Sequence, residues 1–258
     1  MKDYDYIKED IVKALKEVGL ERGDSIIIHS NMGFFGKLKG CPDKDSYCKA
    51  FKESILDVIG SDGTIVVPTF SYSFCNQQIF DKSKTESMMG IFAEYIRNDP
   101  NSLRSDDANF SVAAIGKNAK KFTENISIHS FGEDSFWERF LKSDGKICNF
   151  NLDSASTFIH YAEKILKVPY RYDKPFSGIT IIGQKEVKKT YYHFTHDLTK
   201  PENNPDFTKF NKKAKESKLV RNSNLGKGQI VCISTKDTLE LIKKEITTIN
   251  FLTKGLNF

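Results

Sequence analysis

The sequence of 258 residues lacks several features that define common protein classes. No apolar run approaches the roughly 18 residues that a membrane helix needs, and the start of the chain carries charges where a signal peptide would be apolar. We therefore expect a cytoplasmic protein with no membrane partner. The five cysteines are an odd number without a C-x-x-C pair, which favours reduced thiols over a disulfide framework or a zinc knot.

Phosphate-loop and repeat signatures are also missing. The chain contains neither a Walker A sequence nor a G-x-G-x-x-G fingerprint, and it has no internal repeat or low-complexity tract. Its hydrophobic fraction of 39% and aromatic fraction of 12% are sufficient for a sizeable core. The length then predicts a single elaborated domain that folds alone.

The charge balance is positive, with a net charge of +5 whose excess lies in residues 201–258. Most of it falls in KFNKKAKESKLVR, residues 209–221, which is typical of a solvated helix face, with attraction for an anionic ligand as the functional alternative. Few aromatic residues interleave with these lysines and the stretch matches no nucleic-acid motif. We therefore expect no nucleic-acid partner.

Alternating helix and strand patterns dominate the first part of the chain. Apolar residues at three- and four-residue spacing predict a helix over residues 4–20, and the β-branched run SIIIHS predicts a strand over 25–30. A second helix and a second strand follow in 45–70. This order predicts an α/β fold with a parallel core and right-handed crossovers.

The hydrophobic pattern changes at residue 168, where alternation of apolar and polar residues predicts antiparallel strands. We therefore predict one domain with three parts: an α/β core in 1–171, an antiparallel cap in 172–210, and a C-terminal α/β completion in 211–258.

The best-placed candidate for chemistry is His160, on a helix predicted over 156–167. Thr157, His160 and Glu163 are spaced at i, i+3 and i+6, so they lie along one side of that helix. A neutral imidazole with a carboxylate one turn away is the arrangement that a general base needs. An ordinary surface pair has the same spacing and is the alternative.

A glycine-rich loop follows the first strand. His29 and Ser30 end the strand, and the loop contains Gly33, Gly36 and Gly40. Ligands bind where parallel strands end, and exposed loop amides can bind phosphates or a developing oxyanion. A turn that needs glycine only for its backbone angles is the plainer interpretation.

One cluster resembles a metal site, His193-x-x-His196-Asp197. Its residue types suit zinc or iron, and a metal-dependent hydrolase is the alternative function that it raises. Alternation places His193 and His196 on opposite faces of a strand, so we expect no metal. Tyr191 and His193 are candidates for the acceptor side of a pocket.

Six short stretches occur in an order that resembles the aminoglycoside 3-N-acetyltransferase family. Together they span residues 20–171: GDSIIIHSNMGFFG (23–36), DGTIVVPTFS (62–71), FDKSKTESMMGIFAEYIR (80–97), LRSDDANFSVAAIG (103–116), FGEDSFWERFLKSDGKI (131–147) and STFIHYAEKILKVPYR (156–171). The resemblance implies a parallel-core α/β sandwich of that family's type, with an antiparallel β insertion.

The same resemblance implies an N-acetyltransferase that transfers acetyl from acetyl-CoA, its co-substrate, directly to an amine. The family's T-x-x-H-x-x-E stretch carries over to Thr157, His160 and Glu163, with His160 as the base. The coenzyme contacts that it implies come from three loops: His29, Ser30 and Gly36; Arg104, Ser105 and Ser111; and Phe131.

Two departures from the family pattern concern the site. Where the family reads R-S-x-H-P-x-x-S, this chain has Asp107 and Ala108 in place of the His-Pro pair. The usual glycine-rich strand end is here Asn149 to Asp153, which makes the predicted pocket more polar and bulkier. We expect these differences to affect coenzyme contacts and the choice of acceptor.

The positive net charge also bears on the choice of acceptor. A positive field favours a nucleotide-linked amino sugar, used in surface glycan synthesis, over a drug with several ammonium groups. The alternative is aminoglycoside 3-N-acetylation, which confers antibiotic resistance. The candidate acceptor-binding residues are Asp81, Asp107, Tyr191 and His193, and Asp81, Glu86, Asp106 and Asp107 could form a local acidic pocket. Whether the protein forms a homodimer stays open.

Overall fold

A computed structural model describes residues 3–255 and contains two β-sheets with helices on both sides of the larger one. Its helices are α1 (Lys8–Glu17), α2 (Lys44–Ile59), α3 (Ile91–Arg97), α4 (Ala119–Thr123), α5 (Phe136–Leu141), α6 (Phe158–Ile165), α7 (Thr208–Glu216) and α8 (Thr235–Glu245). Its strands are β1 (Ser25–Ser30), β2 (Thr64–Pro68), β3 (Phe80–Asp81), β4 (Leu103–Arg104), β5 (Val112–Gly116), β6 (Lys146–Phe150), β7 (Arg171–Ile182), β8 (Lys185–His196), β9 (Arg221–Leu225) and β10 (Gly228–Ser234).

The larger sheet has seven strands in the order β4-β5-β2-β1-β6-β10-β9. β1 lies at its centre and pairs in parallel with β2 and with β6, whereas the strands outside these three pair antiparallel. The predicted α/β fold with a parallel core is therefore confirmed, and antiparallel strands extend that core on both sides.

The central strands divide their side chains between two apolar cores. Ile26 and Ile28 of β1 face a core that α1, α2 and α3 cover, whereas Ile27 faces a core covered by α5, α6 and α8. Because strand side chains alternate between faces, a strand buried on both faces reads as the continuous apolar run seen in the sequence. This double cover leaves the strand ends as the accessible edge of the sheet.

The smaller sheet consists of β3, β7 and β8. β7 and β8 form a long antiparallel hairpin, in which Arg171 pairs with His196 at the open end and Ile182 pairs with Lys185 at the turn. This hairpin occupies most of the region where the sequence predicts antiparallel strands. Its open end lies next to α6, so the hairpin covers the helix that carries His160.

None of the helices in residues 3–255 is both long and apolar enough to cross a lipid bilayer.

Candidate functional site

The candidate site lies where the parallel strands of the larger sheet end. β1 and β6 run side by side in the same direction, with His29 opposite Asn149 and Ser30 opposite Phe150. The chain then leaves β6 through a short loop and enters α6, whose first turn carries His160. The sheet therefore places the end of β1, the β6–α6 loop and His160 at one edge.

Side-chain amides of two asparagines hold the β6–α6 loop in shape. Asn149 Nδ2 donates to the carbonyl oxygen of Ala155 at 3.0 Å, and Asn151 Nδ2 donates to the carbonyl oxygen of Asn31 at 2.9 Å. Asn151 Oδ1 also accepts the amide of Gln229 at 3.0 Å. In the family that the sequence resembles, this strand end is rich in glycine. Here the two asparagines hold the conformation of the loop that leads into α6.

His160 and Glu163 form a close pair on one face of α6. His160 Nδ1 lies 2.7 Å from Glu163 Oε2, and the Glu163 side chain is fully buried. Because an ionised carboxylate can only accept, Nδ1 carries the proton and Nε2 keeps its lone pair. The pairing that the i, i+3 spacing predicts is therefore present, in a half-buried setting that differs from an ordinary surface pair.

Two residues that the sequence did not single out complete the surroundings of Glu163. The hydroxyl of Tyr170 donates to Glu163 Oε1 at 2.8 Å, and Arg171 Nε lies 2.8 Å from Glu163 Oε2. Both follow α6, where Lys167 takes a φ of 54° and the chain turns back towards the helix. Both residues lie beyond the end of α6, so helical spacing could not place them against Glu163.

The pKa values of the pair suit a general base. Burial lowers the pKa of His160, Arg171 adds to that effect, and the hydrogen bond to Glu163 opposes it. For Glu163, burial raises the pKa, but the hydrogen bond from His160 and the charge of Arg171 outweigh burial and the pKa lies below its usual value. At neutral pH the imidazole is therefore neutral and the carboxylate ionised.

Aromatic side chains hold the imidazole ring of His160 in place. The Phe131 ring is perpendicular to the imidazole at a centroid distance of 5.6 Å, and the centroid of Phe207 lies 6.0 Å from that of the imidazole. Trp137 stacks on Phe131 from behind at 6.2 Å. The predicted site residue Phe131 thus forms an apolar wall beside His160.

The hairpin of β7 and β8 places a second imidazole against Phe131. The ring of His193 lies 4.5 Å from Phe110 and 6.2 Å from Phe131, so His160 and His193 contact the same phenyl ring. Burial and the nearby positive groups lower the pKa of His193 to about 3, which keeps it neutral. The neighbouring candidate Tyr191 is buried, with its ring 5.9 Å from that of Phe74.

The predicted coenzyme residues of the 104–111 loop are engaged inside the protein. The guanidinium of Arg104 donates to the carbonyl oxygen of Thr69 at 2.9 Å and to Ser111 Oγ at 3.1 Å, and it stacks over the ring of Phe80. Burial lowers its pKa to about 10. Ser105 Oγ accepts the amide of Val112 at 2.9 Å. These contacts attach the long 71–87 loop to the edge of the larger sheet.

The predicted acceptor residues Asp107 and Asp81 do not face His160. Asp107 is buried, where it accepts the Ser130 hydroxyl at 2.6 Å and two backbone amides, and burial raises its pKa. Asp81 pairs with Ile181, ten residues along β7 from Arg171. At about 3.3 Å per residue that separation is roughly 30 Å. Of the four candidates, His193 is the one beside the base.

The loop after β1 lines a cavity of about 760 Å³. Gly36 has a φ of 84°, and a Cβ atom there would lie 2.3 Å from Asp5 Oδ2, so this position requires glycine. Ser30 is half-buried at the end of β1. Burial lowers the pKa of His29 to about 4, and the neighbouring Asn149 side chain opposes that effect. The charged residues that line the cavity are three lysines and two aspartates: Lys37, Lys39, Lys44, Asp3 and Asp43.

The residues of the alternative metal site have other contacts. His193 is packed among phenyl rings, His196 Nε2 lies 3.0 Å from Asn204 Oδ1, and Asp197 accepts the hydroxyl of Thr199 at 2.7 Å. Between residues 3 and 255 no cluster of three or more His, Cys, Asp or Glu side chains could hold a metal ion.

Comparison with known proteins gives a consistent picture. The family model described as aminoglycoside 3-N-acetyltransferase matches residues 27–247. The SPbeta prophage-derived aminoglycoside N(3')-acetyltransferase-like protein YokD of Bacillus subtilis (strain 168) is 25% identical over 71% of this chain and 74% of its own length. The crystal structure of aminoglycoside acetyltransferase AAC(3)-IIb superposes with a TM-score of 0.79 at 19% identity, covering 94% of this chain and 97% of that one. A structure of AAC-IIIb with CoASH superposes with a TM-score of 0.77 at 19% identity, covering 93% and 97%.

Proposed function

The chain belongs to the aminoglycoside 3-N-acetyltransferase family, and on that premise we propose that it acetylates an amine of an aminoglycoside-type amino sugar with His160 as the general base. Family membership confirms the predicted N-acetyltransferase with acetyl-CoA as co-substrate. The observation that carries the role of His160 is its 2.7 Å hydrogen bond to the buried Glu163, which leaves the lone pair of Nε2 available to accept a proton.

The proposed step removes a proton from the acceptor while a C–N bond forms. Nε2 of His160 accepts the surplus proton of the ammonium group, and the free amine attacks the thioester carbonyl. As the C–S bond breaks, the second proton of the amine passes, directly or through water, to the departing thiolate, so the sulfur leaves as the coenzyme thiol. The imidazolium of His160 then releases its proton to solvent. Glu163 stabilises the imidazolium that forms, and such base catalysis typically contributes about 10²–10⁴-fold.

The structure alters the charge argument about the acceptor. In the basic run of α7, Lys213 lies 3.5 Å from Glu245 and Lys215 lies 2.9 Å from Asp153, so local carboxylates partner part of the excess charge. Next to the site, Lys164 pairs with Asp173. These pairs weaken the case for an anionic acceptor. The names of the relatives favour an aminoglycoside, and a nucleotide-linked amino sugar is the second candidate because the net charge is positive.

Release of coenzyme A thiol from acetyl-CoA tests this proposal. The purified protein is assayed with a panel of aminoglycosides and, in parallel, with a panel of nucleotide-linked amino sugars, at low and moderate salt. We expect turnover with aminoglycosides and an N-acetylated product by mass spectrometry. Turnover confined to nucleotide-linked sugars would establish the second candidate, and no turnover on either panel would contradict both.

We further propose that the lysine-lined cavity beside β1 receives the phosphates of coenzyme A. Lys39 and Lys44 are exposed there, and the Lys39 ammonium lies over the ring of Tyr4 at 5.3 Å. Ile91 lines the same cavity and follows Gly90, where an added Cβ atom would lie 3.8 Å from the carbonyl oxygen of Ser30. The cavity therefore borders the strand end that leads to His160, and lysines bind phosphates as point charges.

Replacing Lys39 and Lys44 together with Glu should weaken coenzyme A binding about tenfold or more, since each lost charge contact with a phosphate costs on the order of 1 kcal/mol. Isothermal titration calorimetry measures this directly. The matched control replaces two exposed lysines elsewhere, Lys120 and Lys244, with Glu, which gives the same net charge. Equal affinity in the two double variants would place the phosphates outside this cavity.

A further inference from the structure

Three side chains converge on the carboxylate of Glu163, and two of them share one oxygen. His160 Nδ1 and Arg171 Nε both lie next to Oε2, at 2.7 and 2.8 Å, while the Tyr170 hydroxyl donates to Oε1 at 2.8 Å. Glu163 is fully buried and the Arg171 side chain is 3% exposed, so water screens this interaction little. The charge that His160 meets is therefore that of an ion pair rather than that of an isolated carboxylate.

Arg171 also joins the three elements around the base. It is the first residue of β7, it pairs with His196 of β8, and its Nη1 donates to the carbonyl oxygen of Phe194 at 3.2 Å. Its Nε and Nη2 have no hydrogen-bond partner within the described residues, so Nε contacts Glu163 as an ion pair that lacks hydrogen-bond geometry. The guanidinium thus links the hairpin of β7 and β8 to the carboxylate of α6 through an ion pair.

We propose that Arg171 is a positioning residue of the acetyl transfer reaction, which holds Glu163 in place for His160 and offsets part of its negative charge, so that His160 begins each turnover as a free base. This inference rests on the proposed role of His160. A carboxylate alone would stabilise the imidazolium and favour a protonated resting state. A shared carboxylate orients the ring just as well but stabilises the imidazolium less.

The other charged and titratable groups around His160 do not replace Arg171. His193 and His196 of β8 lie near it; burial keeps His193 neutral, and His196 Nε2 lies 3.0 Å from Asn204 Oδ1. Lys164, on the same helix, pairs with Asp173 instead. The walls formed by Phe131 and Phe207 carry no charge. Arg171 is therefore the permanent cation that contacts the carboxylate partner of the base.

The test removes the charge of Arg171 and follows the protonation of His160. In Arg171→Met, we expect His160 to take up its proton at a pH about one unit higher than in the parent protein, because an adjacent charge typically shifts a titration by 1–3 units. Proton NMR titration of the histidine ring signals reads this without turnover. The acid limb of kcat/KM against pH should move by the same amount.

Two variants separate charge from packing. Arg171→Lys keeps the positive charge, and its titration should stay close to that of the parent protein. Lys174→Met removes a cation three residues along β7 that lies over the ring of Phe176, and it should leave the His160 titration in place. Should Arg171→Met fail to fold, Arg171→Gln removes the same charge and keeps a donor for the Phe194 carbonyl.

A folded uncharged variant whose His160 titrates as in the parent protein would overturn the proposal, even if its kcat were reduced. A shift of equal size in Lys174→Met would overturn it as well, since the effect would then be a general field. The NMR result is independent of any acceptor. If the parent protein acetylates no acceptor of either panel, the proposed function is contradicted. The NMR titration of His160 then still decides whether Arg171 lowers its pKa.

Discussion

Replacing His160 with Gln should lower kcat for acetyl transfer by about 10²–10⁴-fold, the usual contribution of a positioned general base. The glutamine amide can still donate to Glu163, so the buried carboxylate keeps a partner and the fold should be retained. Coenzyme A binding, measured by calorimetry, should change little because the imidazole acts on the acceptor amine. The residual rate should also lose the acid limb that the parent enzyme shows.

A matched control for this variant is His129→Gln. The His129 side chain is 40% exposed, and its ring stacks on Tyr192 at 4.5 Å, outside the Glu163 network. This variant should turn over like the parent enzyme. Undiminished activity in a folded His160→Gln enzyme, on an acceptor that the parent enzyme uses, would remove His160 from the mechanism.

The part of the site that the sequence predicts is the part with a periodic signal. The spacing predicts one helical face for Thr157, His160 and Glu163; His160 and Glu163 do lie on α6, and Thr157 immediately precedes its first residue. Tyr170 and Arg171 lie beyond its end, and they reach Glu163 only because the chain reverses at Lys167. Contacts made after such a reversal leave no trace in residue spacing, so they required the structure.

Polar residues in loops illustrate a second limit. Arginine and aspartate often bind ligands, and Arg104 and Asp107 lie in a stretch that resembles the family's sequence, which suggested that role. In the structure both are buried: Arg104 donates to the carbonyl oxygen of Thr69, and Asp107 accepts backbone amides of its own turn. A buried polar side chain needs partners whether or not it binds a ligand, so residue type alone does not distinguish the two roles.

Strand direction is a third property that the pattern does not encode. The apolar runs of β1, β2 and β6 predict buried strands, and these three do form the parallel core. β5 and β10 have equally buried runs, yet they pair antiparallel with β2 and β6. Burial on two faces produces the same apolar run in either direction, so periodicity can locate such strands but cannot orient them.

Replacing Glu163 with Leu should destabilise the protein by about 3–5 kcal/mol at neutral pH, because the variant keeps Arg171 buried without its counter-charge. Urea unfolding at pH 7 measures this loss as a lower midpoint. The pKa of Glu163 is lowered in the folded state, so its carboxylate contributes stability above the unfolded pKa, and that contribution is lost as pH falls through the folded pKa. The gap between parent and variant should therefore narrow in acid.

The double variant Glu163→Leu with Arg171→Met distinguishes loss of an ion pair from loss of shape. Replacing both partners of a buried pair with apolar residues is often close to neutral, so most of the stability lost in Glu163→Leu should return. Catalysis should not return, because His160 would lack the Glu163 carboxylate that orients it. Arg171, which positions that carboxylate, would be missing as well. Recovery of stability without recovery of kcat would show that the buried charges of α6 and β7 serve the reaction, whereas a double variant as unstable as Glu163→Leu would contradict the ion-pair explanation.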